Sequence, residues 1–424
     1  MSIGYRNGDG FVSSAIDRAY HYTGNFIFPV GEDWDIQAEG QLYDRAGKYR
    51  VRPLAYGAAL NRDRIDRNGR ISIIRYNAER NTRYLFGYRH IRQGSALGGS
   101  YRMNLNQTGH GLSVAREWFG FGAALRAELT GDYLKYDTWF NQYERLSADA
   151  SLQMARLSRP WGFSAVLKQT YVENYRFLPS AAAMLRREAD KSLVMFSFGY
   201  SERAPSMNEL HLPYQETKLY ASSNTDYADQ GSPGLISEKL IEGTMELSVG
   251  LPDKNLSLTV TGGKIWDGID WVTRKDGHIT IFSPRNGDVS FSNITTMGCV
   301  WLADFMRFKG GASYHYVDYK LVDNRVYTPE YQAFSGLELH LFWSQKLIDF
   351  YAYGELVYAG PYDGYVERGL GNRALTNTKL TFKMGHFRFH WILQNSLSTI
   401  VRPRDDWENP GFAGFWGFVW DFFD

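Results

Sequence analysis

Apolar residues recur at every second position along most of this chain, with polar residues filling the alternate ones. Leu146, Ala148, Ala150, Leu152 and Met154 fall on one side, and Arg145, Ser147, Asp149, Ser151 and Gln153 on the other. A period of two is the geometry of a pleated strand, whose successive side chains point to opposite faces. The pattern breaks at Ser158-Arg159-Pro160-Trp161-Gly162 and resumes with Phe163, Ala165 and Leu167 against Ser164 and Lys168, which predicts a hairpin. Leu125, Ala127 and Leu129 against Arg126, Glu128 and Thr130 repeat it, as do Met245, Leu247, Val249 and Leu251 against Glu246 and Ser248. Pro252-Asp253-Lys254-Asn255 then turns the chain into Leu256, Leu258 and Val260. Leu380, Phe382 and Met384 share a phase that flips at Gly385, after which Phe387, Phe389, Trp391 and Leu393 are the apolar set. Such a flip locates a tight turn. The same reading covers Ile16, Tyr20, the run His21 to Val30 and then Trp34 to Tyr43, so strands are expected from about residue 11 onward.

A soluble β-sandwich also alternates, because one face of each sheet meets water. Here the apolar faces carry large aromatics, the polar faces are rich in charge, and many strands extend past the roughly 5–6 residues usual in soluble sheets. No section reads as a helix, and no shift in composition marks a second domain. The pattern therefore predicts an all-β fold, a transmembrane antiparallel up-and-down β-barrel occupying residues 1–424 as one domain. Allowing roughly 19 residues for a strand and its connection gives about 22 strands. Short turns, as at Pro252 and Gly385, would face the periplasm, and longer loops the exterior. The longest irregular stretch runs from about Ser201 to Ile236.

Composition agrees. Phe, Trp and Tyr make up 16% of the 424 residues, which suits interfacial aromatic girdles, and 42 Gly supply turns. The formal net charge of +1 creates no field for nucleic acid. Cys299, the only cysteine, excludes an internal disulfide and multi-cysteine metal sites, and reads as a small apolar residue. His386, Arg388 and His390 would share one polar, lumen-facing side of a strand, but on a strand the two imidazoles lie roughly 13 Å apart and cannot share an ion. No G-x-S-x-G elbow, Walker loop or H-E-x-x-H helix is found. The chain is accordingly read as no enzyme, with no metal and no cofactor.

Four stretches resemble the TonB-dependent outer-membrane receptors. FSFGYSERAPSMNEL is similar to the strand end and S-x-R-x-P-S-x-x-E-L signature of that family, through Ser201, Arg203, Pro205, Ser206, Glu209 and Leu210. GSPGLISEK is similar to G-N-P-x-L-x-P-E through Gly231, Pro233, Leu235 and Glu238, with Ser232 and Ser237 departing from it. KIWDGIDWV adds Trp266, Asp267, Ile269 and Trp271. The end, ENPGFAGFWGFVWDFFD, resembles the family's final strand, in which Trp416, Phe418, Trp420 and Phe422 would face lipid, and Gly417, Trp420 and Phe422 fit the signal read by the barrel assembly machinery.

The resemblance implies a monomer in the bacterial outer membrane that takes up a scarce small ligand, such as a siderophore–iron complex or cobalamin. It also implies partners: outer-membrane lipid, the assembly machinery, and the TonB energising complex acting through a plug domain. Neither a plug nor a secretory leader is recognisable in this chain, which leaves a plugless channel, or a structural barrel filled by a partner chain, as the alternative reading. The resemblance makes Arg203, Pro205, Glu209, Pro233 and Glu238 structural braces. Tyr214, Tyr220 and Tyr227, with His211, are the candidate ligand contacts in the long external loop, because a phenol offers a flat apolar face with a polar tip.

Overall fold

The computed structural model describes residues 2–9, 16–30, 34–50, 59–75, 81–97, 103–120, 122–138, 141–212, 215–217, 226–251, 254–276, 279–320, 328–343, 348–363, 369–399 and 412–420. The chain divides into two units, one comprising Met1–Arg186, Ser197–Glu242 and Lys264–Val289, the other Arg187–Phe196, Gly243–Gly263 and Ser290–Asp424.

In the first unit, β1 (Ser2–Asp9), β2 (Ile16–Val30), β3 (Trp34–Arg50), β4 (Ala59–Arg75), β5 (Asn81–Leu97), β6 (Met103–Gly120), β7 (Ala123–Asp137), β8 (Gln142–Leu157) and β9 (Trp161–Val172) form an antiparallel meander in sequence order. Strand β1 precedes the point at which the alternation first becomes legible. Strands β10 (Arg176–Ala189) and β11 (Ser192–Arg203) follow. The helix α1 (Met207–His211) and the short strands β12 (Gln215–Thr217) and β13 (Asp226–Asp229) come next. Then β14 (Glu238–Leu251), β15 (Lys254–Asp276) and β16 (Ile279–Ala303) run through both units.

The second unit holds β17 (Met306–Tyr319), β18 (Tyr331–Trp343), β19 (Ile348–Tyr362), β20 (Leu370–Met384), β21 (Phe387–Gln394) and β22 (Ala413–Trp420), again an antiparallel meander. All 22 strands belong to one hydrogen-bonded sheet. The expected count is met in number, but β12 and β13 are excursions of the long segment rather than spans, and β13 pairs parallel with β16. Among the described residues no helix is long and apolar enough to cross a membrane.

The predicted turns fall where the pattern puts them. Strand β8 ends at Leu157 and β9 begins at Trp161, β14 gives way to β15 between Leu251 and Lys254, and Gly385 and His386 form the whole turn between β20 and β21. Gly385 has φ +56°, which a glycine adopts without a Cβ penalty.

Two expectations need correction. His386 lies in that turn, one residue before β21 begins, and so is not on a strand face with Arg388 and His390. The reading without helices fails at α1, because Ser206 accepts a hydrogen bond from the Glu209 backbone while the Glu209 carboxylate accepts one from the Ser206 backbone. That reciprocal capping box satisfies backbone donors that a short helix would otherwise leave unpaired.

Exposure along the strands is inverted relative to a soluble sheet. On β8 every apolar position, from Leu146 (55% exposed) to Met154, is open, whereas the alternating polar positions are half-buried. The same holds at Leu129 (65%) on β7, Leu167 on β9, and Phe196 and Phe198 on β11. On β22 Trp416 and Phe418 are the most exposed of the large apolar residues, with Phe415 and Val419 exposed to a lesser degree.

Candidate functional site

The sheltered polar faces are internally paired in each unit. In the first, Arg126 bonds Glu117 (3.0 Å) and Glu128 (2.8 Å), Arg89 bonds Asp132 (3.1 Å), and Lys168 bonds Asp149 (3.1 Å). In the second, Arg307 and Lys309 converge on Glu338 at 2.8 and 2.5 Å, while Asn377 donates to Glu355 at 2.9 Å. Charges drawn out of water are stabilised by such partners, although Asp149 Oδ1 and Arg307 Nε are buried without one.

The most connected polar cluster ties down the long segment in the first unit. Arg203, the last residue of β11, donates through Nε to Glu238 (2.7 Å) and through Nη1 and Nη2 to Glu209 (3.1 and 3.3 Å). Its planar fork suits two carboxylates at once, which an ammonium group cannot match. The second oxygen of Glu238 accepts from the Ile269 backbone N–H (3.0 Å). Thus one guanidinium joins the end of β11, helix α1, the start of β14 and the middle of β15.

Other strands reach the same segment. Arg145 of β8 donates to the Pro205 carbonyl (2.6 Å), Tyr136 of β7 to the Asn208 side chain (3.0 Å), and Tyr175 to the Leu235 carbonyl (3.1 Å). Asn286 of β16 both accepts from the Ile236 N–H (3.0 Å) and donates to its carbonyl (3.1 Å) and to that of Asp267 (2.6 Å). Asp267 has φ +54°, in the left-handed region that Asp tolerates better than most residues. In the same segment Pro205, Met207, Leu210 and Leu235 are all buried.

Gly231 closes the segment. Its N–H donates to the Leu212 carbonyl (2.8 Å) and the next N–H, of Ser232, to the Glu209 carbonyl (2.8 Å). A Cβ at Gly231 would stand 2.6 Å from the Leu212 nitrogen, so no larger residue fits without moving the backbone. Pro233 sits in the exposed turn that follows.

Burial raises the Glu209 carboxyl, but the bonds from Arg203 and Ser206 outweigh it and hold the group below the usual carboxylate range. Burial, aided by the nearby Arg145, pushes the His211 imidazole down, which keeps it neutral near pH 7. That ring stacks on Tyr143 with centroids 3.8 Å apart and an interplanar angle of 11°.

The cluster gathers Arg203, Pro205, Glu209 and Glu238, with His211 at its edge. Of the other proposed ligand contacts, Tyr214 and Tyr220 lie outside the described residues. Tyr227 is in β13, opposite Thr217 and Thr280, and its side chain lies outside the description. Arg388 faces Lys383 in register and His390 bonds Thr381 (3.0 Å), both in the second unit. Gly417 pairs with His390 and Trp420 with Phe387, whereas Phe422 lies outside the described residues. Sequence reading missed Arg145, Tyr136, Tyr175 and Asn286. Arg145, Tyr136 and Asn286 sit on strands as single polar residues among many and Tyr175 in the short turn between β9 and β10, and nothing local marks any of them as a long-range bridge. Among the described residues no group of three His, Cys, Asp or Glu side chains stands close enough to hold a metal ion.

No protein-family model matches this sequence, and no curated protein does. Solved structures do. The copper transporter OprC superposes with a TM-score of 0.71 at 13% identity, over 95% of this chain and 74% of that one. The siderophore receptor PirA from Pseudomonas aeruginosa gives 0.63 at 10%, over 99% and 79%. The ferric yersiniabactin uptake receptor FyuA from Yersinia pestis gives 0.65 at 11%, over 99% and 74%. With the antiparallel meander, the inverted exposure and the clasped long segment already in place, these likenesses show that the chain has the all-β fold of these solved transporter and receptor structures.

Proposed function

We propose that this chain is the barrel wall of a bacterial outer-membrane receptor that takes up a scarce small ligand, a metal chelate or cobalamin, with energy supplied through TonB. The observation that carries the reading is the inverted exposure. An arrangement that leaves Leu129, Leu146 and Phe198 open and shelters Glu117, Arg126 and Asp149 is costly in water and favourable against hydrocarbon. The solved relatives in fold carry copper, siderophore and yersiniabactin names, which supports a metal-chelate cargo.

In this reading Arg203, Glu209 and Glu238, with Pro205 and Pro233, are braces. They hold the root of the long segment so that its Tyr-rich tip, with Tyr214, Tyr220, Tyr227 and His211, can present ligand contacts outside. Release of ligand inward needs a plug and TonB, and the barrel assembly machinery would read Gly417, Trp420 and Phe422.

The test is to refold the full chain into lipid bilayers and measure saturable binding of ferric chelates, copper and cobalamin alongside single-channel conductance. Saturable binding of one of these classes is the expected result. Bilayer insertion with large ungated currents and no saturable binding would replace the receptor by an open channel.

A further inference from the structure

The outward face of β4, β5 and β6 changes character along the strands. Register places Ile71, Phe86, Val114 and Leu129 in one row across β4 to β7, an apolar band. Toward the short turns that band ends at Arg116, whose guanidinium lies over the rings of Tyr84 (5.1 Å) and Trp118 (4.6 Å). Toward the long connections it ends differently. There the register aligns Arg67, His90 and His110 in one row, with Tyr88 one step inside and Arg92 one step beyond.

His110 is held by the Tyr88 hydroxyl (Nδ1 at 3.2 Å) and by His90 (Nδ1 at 3.4 Å, ring centroids 4.7 Å). Arg67 and Arg92 are exposed. On β7 the same face carries the Lys135–Asp137 pair (3.4 Å), and on β4 the register puts Asp63 on this face two steps beyond Arg67, so the basic groups stand at the Arg67 and Arg92 levels. The opposite face at this level is neutralised, since Arg89 is bonded to Asp132 (3.1 Å).

The spacing fits a bilayer. From Trp118 to His110 the strand rises on the order of 26 Å, roughly 20 Å along the normal for a strand tilted by about 40°, close to the ~25 Å apolar band of such barrels. The Arg67–His90–His110 row therefore falls at headgroup level on the side of the longer loops. We propose that this row is a docking site for the phosphate groups of an anionic lipid in the outer leaflet, with its acyl chains along Phe86, Leu112 and Val114. The inference rests on the membrane orientation proposed above. Guanidinium groups pair with phosphate oxygens bidentately, and the two imidazoles and the Tyr88 hydroxyl supply further donors.

The test reconstitutes the full chain in phosphatidylethanolamine nanodiscs containing equal amounts of diphosphorylated lipid A and its phosphate-free form, then reads the co-purified lipid by native mass spectrometry. The natural chain is expected to retain the phosphorylated form, and Arg67→Gln/His90→Gln/Arg92→Gln to lower that preference about tenfold or more, given ~1 kcal/mol per basic residue near an anionic surface. Arg89→Gln, on the other face, should leave it unchanged. Equal retention of both lipids by the natural chain, an undiminished preference in the triple variant, or displacement of the lipid by millimolar inorganic phosphate would each overturn the proposal. Quenching of tryptophan fluorescence by brominated lipid reads bilayer insertion separately. Absence of quenching condemns the barrel reading itself, whereas quenching with no lipid preference condemns only the docking site.

Discussion

Strand β8 and the segment from Arg203 to Glu238 satisfy their polar groups by opposite routes. Along β8 the backbone is paired residue by residue with β7 and β9, and side chains need only alternate. In the Arg203–Glu238 segment, several carbonyls and amides are met instead by side chains from elsewhere in the chain, Arg145 to Pro205, Tyr175 to Leu235 and Asn286 to Ile236. The first region tolerates exchange within a polarity class, while the second depends on individual residues.

The largest effect should come from the repetitive region, if its outward face meets lipid. Leu129→Arg is expected to cost about 2–4 kcal/mol in bilayers, read as a lower urea midpoint for unfolding from vesicles. A residue 65% exposed to water would accept arginine nearly free of cost, so an unchanged midpoint would break the contrast.

In the clasp, Gly231→Ala should come next, at about 1–3 kcal/mol, because its Cβ meets backbone rather than a flexible side chain. The same substitution at Gly131, where a Cβ meets nothing within 4 Å, is the matched comparison and should be silent.

Glu209→Gln is expected to cost about 1–2 kcal/mol at pH 7 by weakening charge-assisted bonds to Arg203 and Ser206. The pH dependence follows from its lowered pKa. A carboxyl whose folded pKa lies below its unfolded value contributes stability that is complete above the unfolded pKa, ~4.3, and is lost as pH falls through the folded one. Acid titration of unfolding in the natural chain should therefore fall more steeply below that value than in Glu209→Gln, and parallel curves would count against the clasp. The His211 imidazole has the opposite protonation problem. Its folded pKa is lowered, so stability declines as pH falls below ~6.5 and the unfolded chain takes up the proton first.

Smallest of all should be Gly417→Ala. A Cβ there meets nothing within 4 Å, so folding stability should change by less than about 0.5 kcal/mol. If Gly417 serves the assembly signal, the same variant should slow appearance of folded barrel in the membrane, measured by heat-modifiable gel mobility, without shifting the urea midpoint.

Much of the architecture was legible in the residues alone. Alternation at 145–154 and 380–393 located strands, faces and the Gly385 turn, because a period of two is a local property of extended backbone. The capping box at Ser206 and Glu209 was also present in the sequence, overlooked under a period-two reading that has no place for a five-residue helix. His386 was misplaced for a related reason, since a turn one residue longer than assumed removes it from the strand.

Composition and alternation by themselves determined the all-β class, the strand grammar and the apolar and polar faces, since these follow from neighbours in the chain. Tertiary structure alone decided that one guanidinium joins Glu209 to Glu238, and that Asn286, Arg145 and Tyr175 hold a segment far from them in sequence. The physical reason is range: a pleat is set by the next residue, whereas a buried polar group takes its partner from whichever strand the register brings beside it.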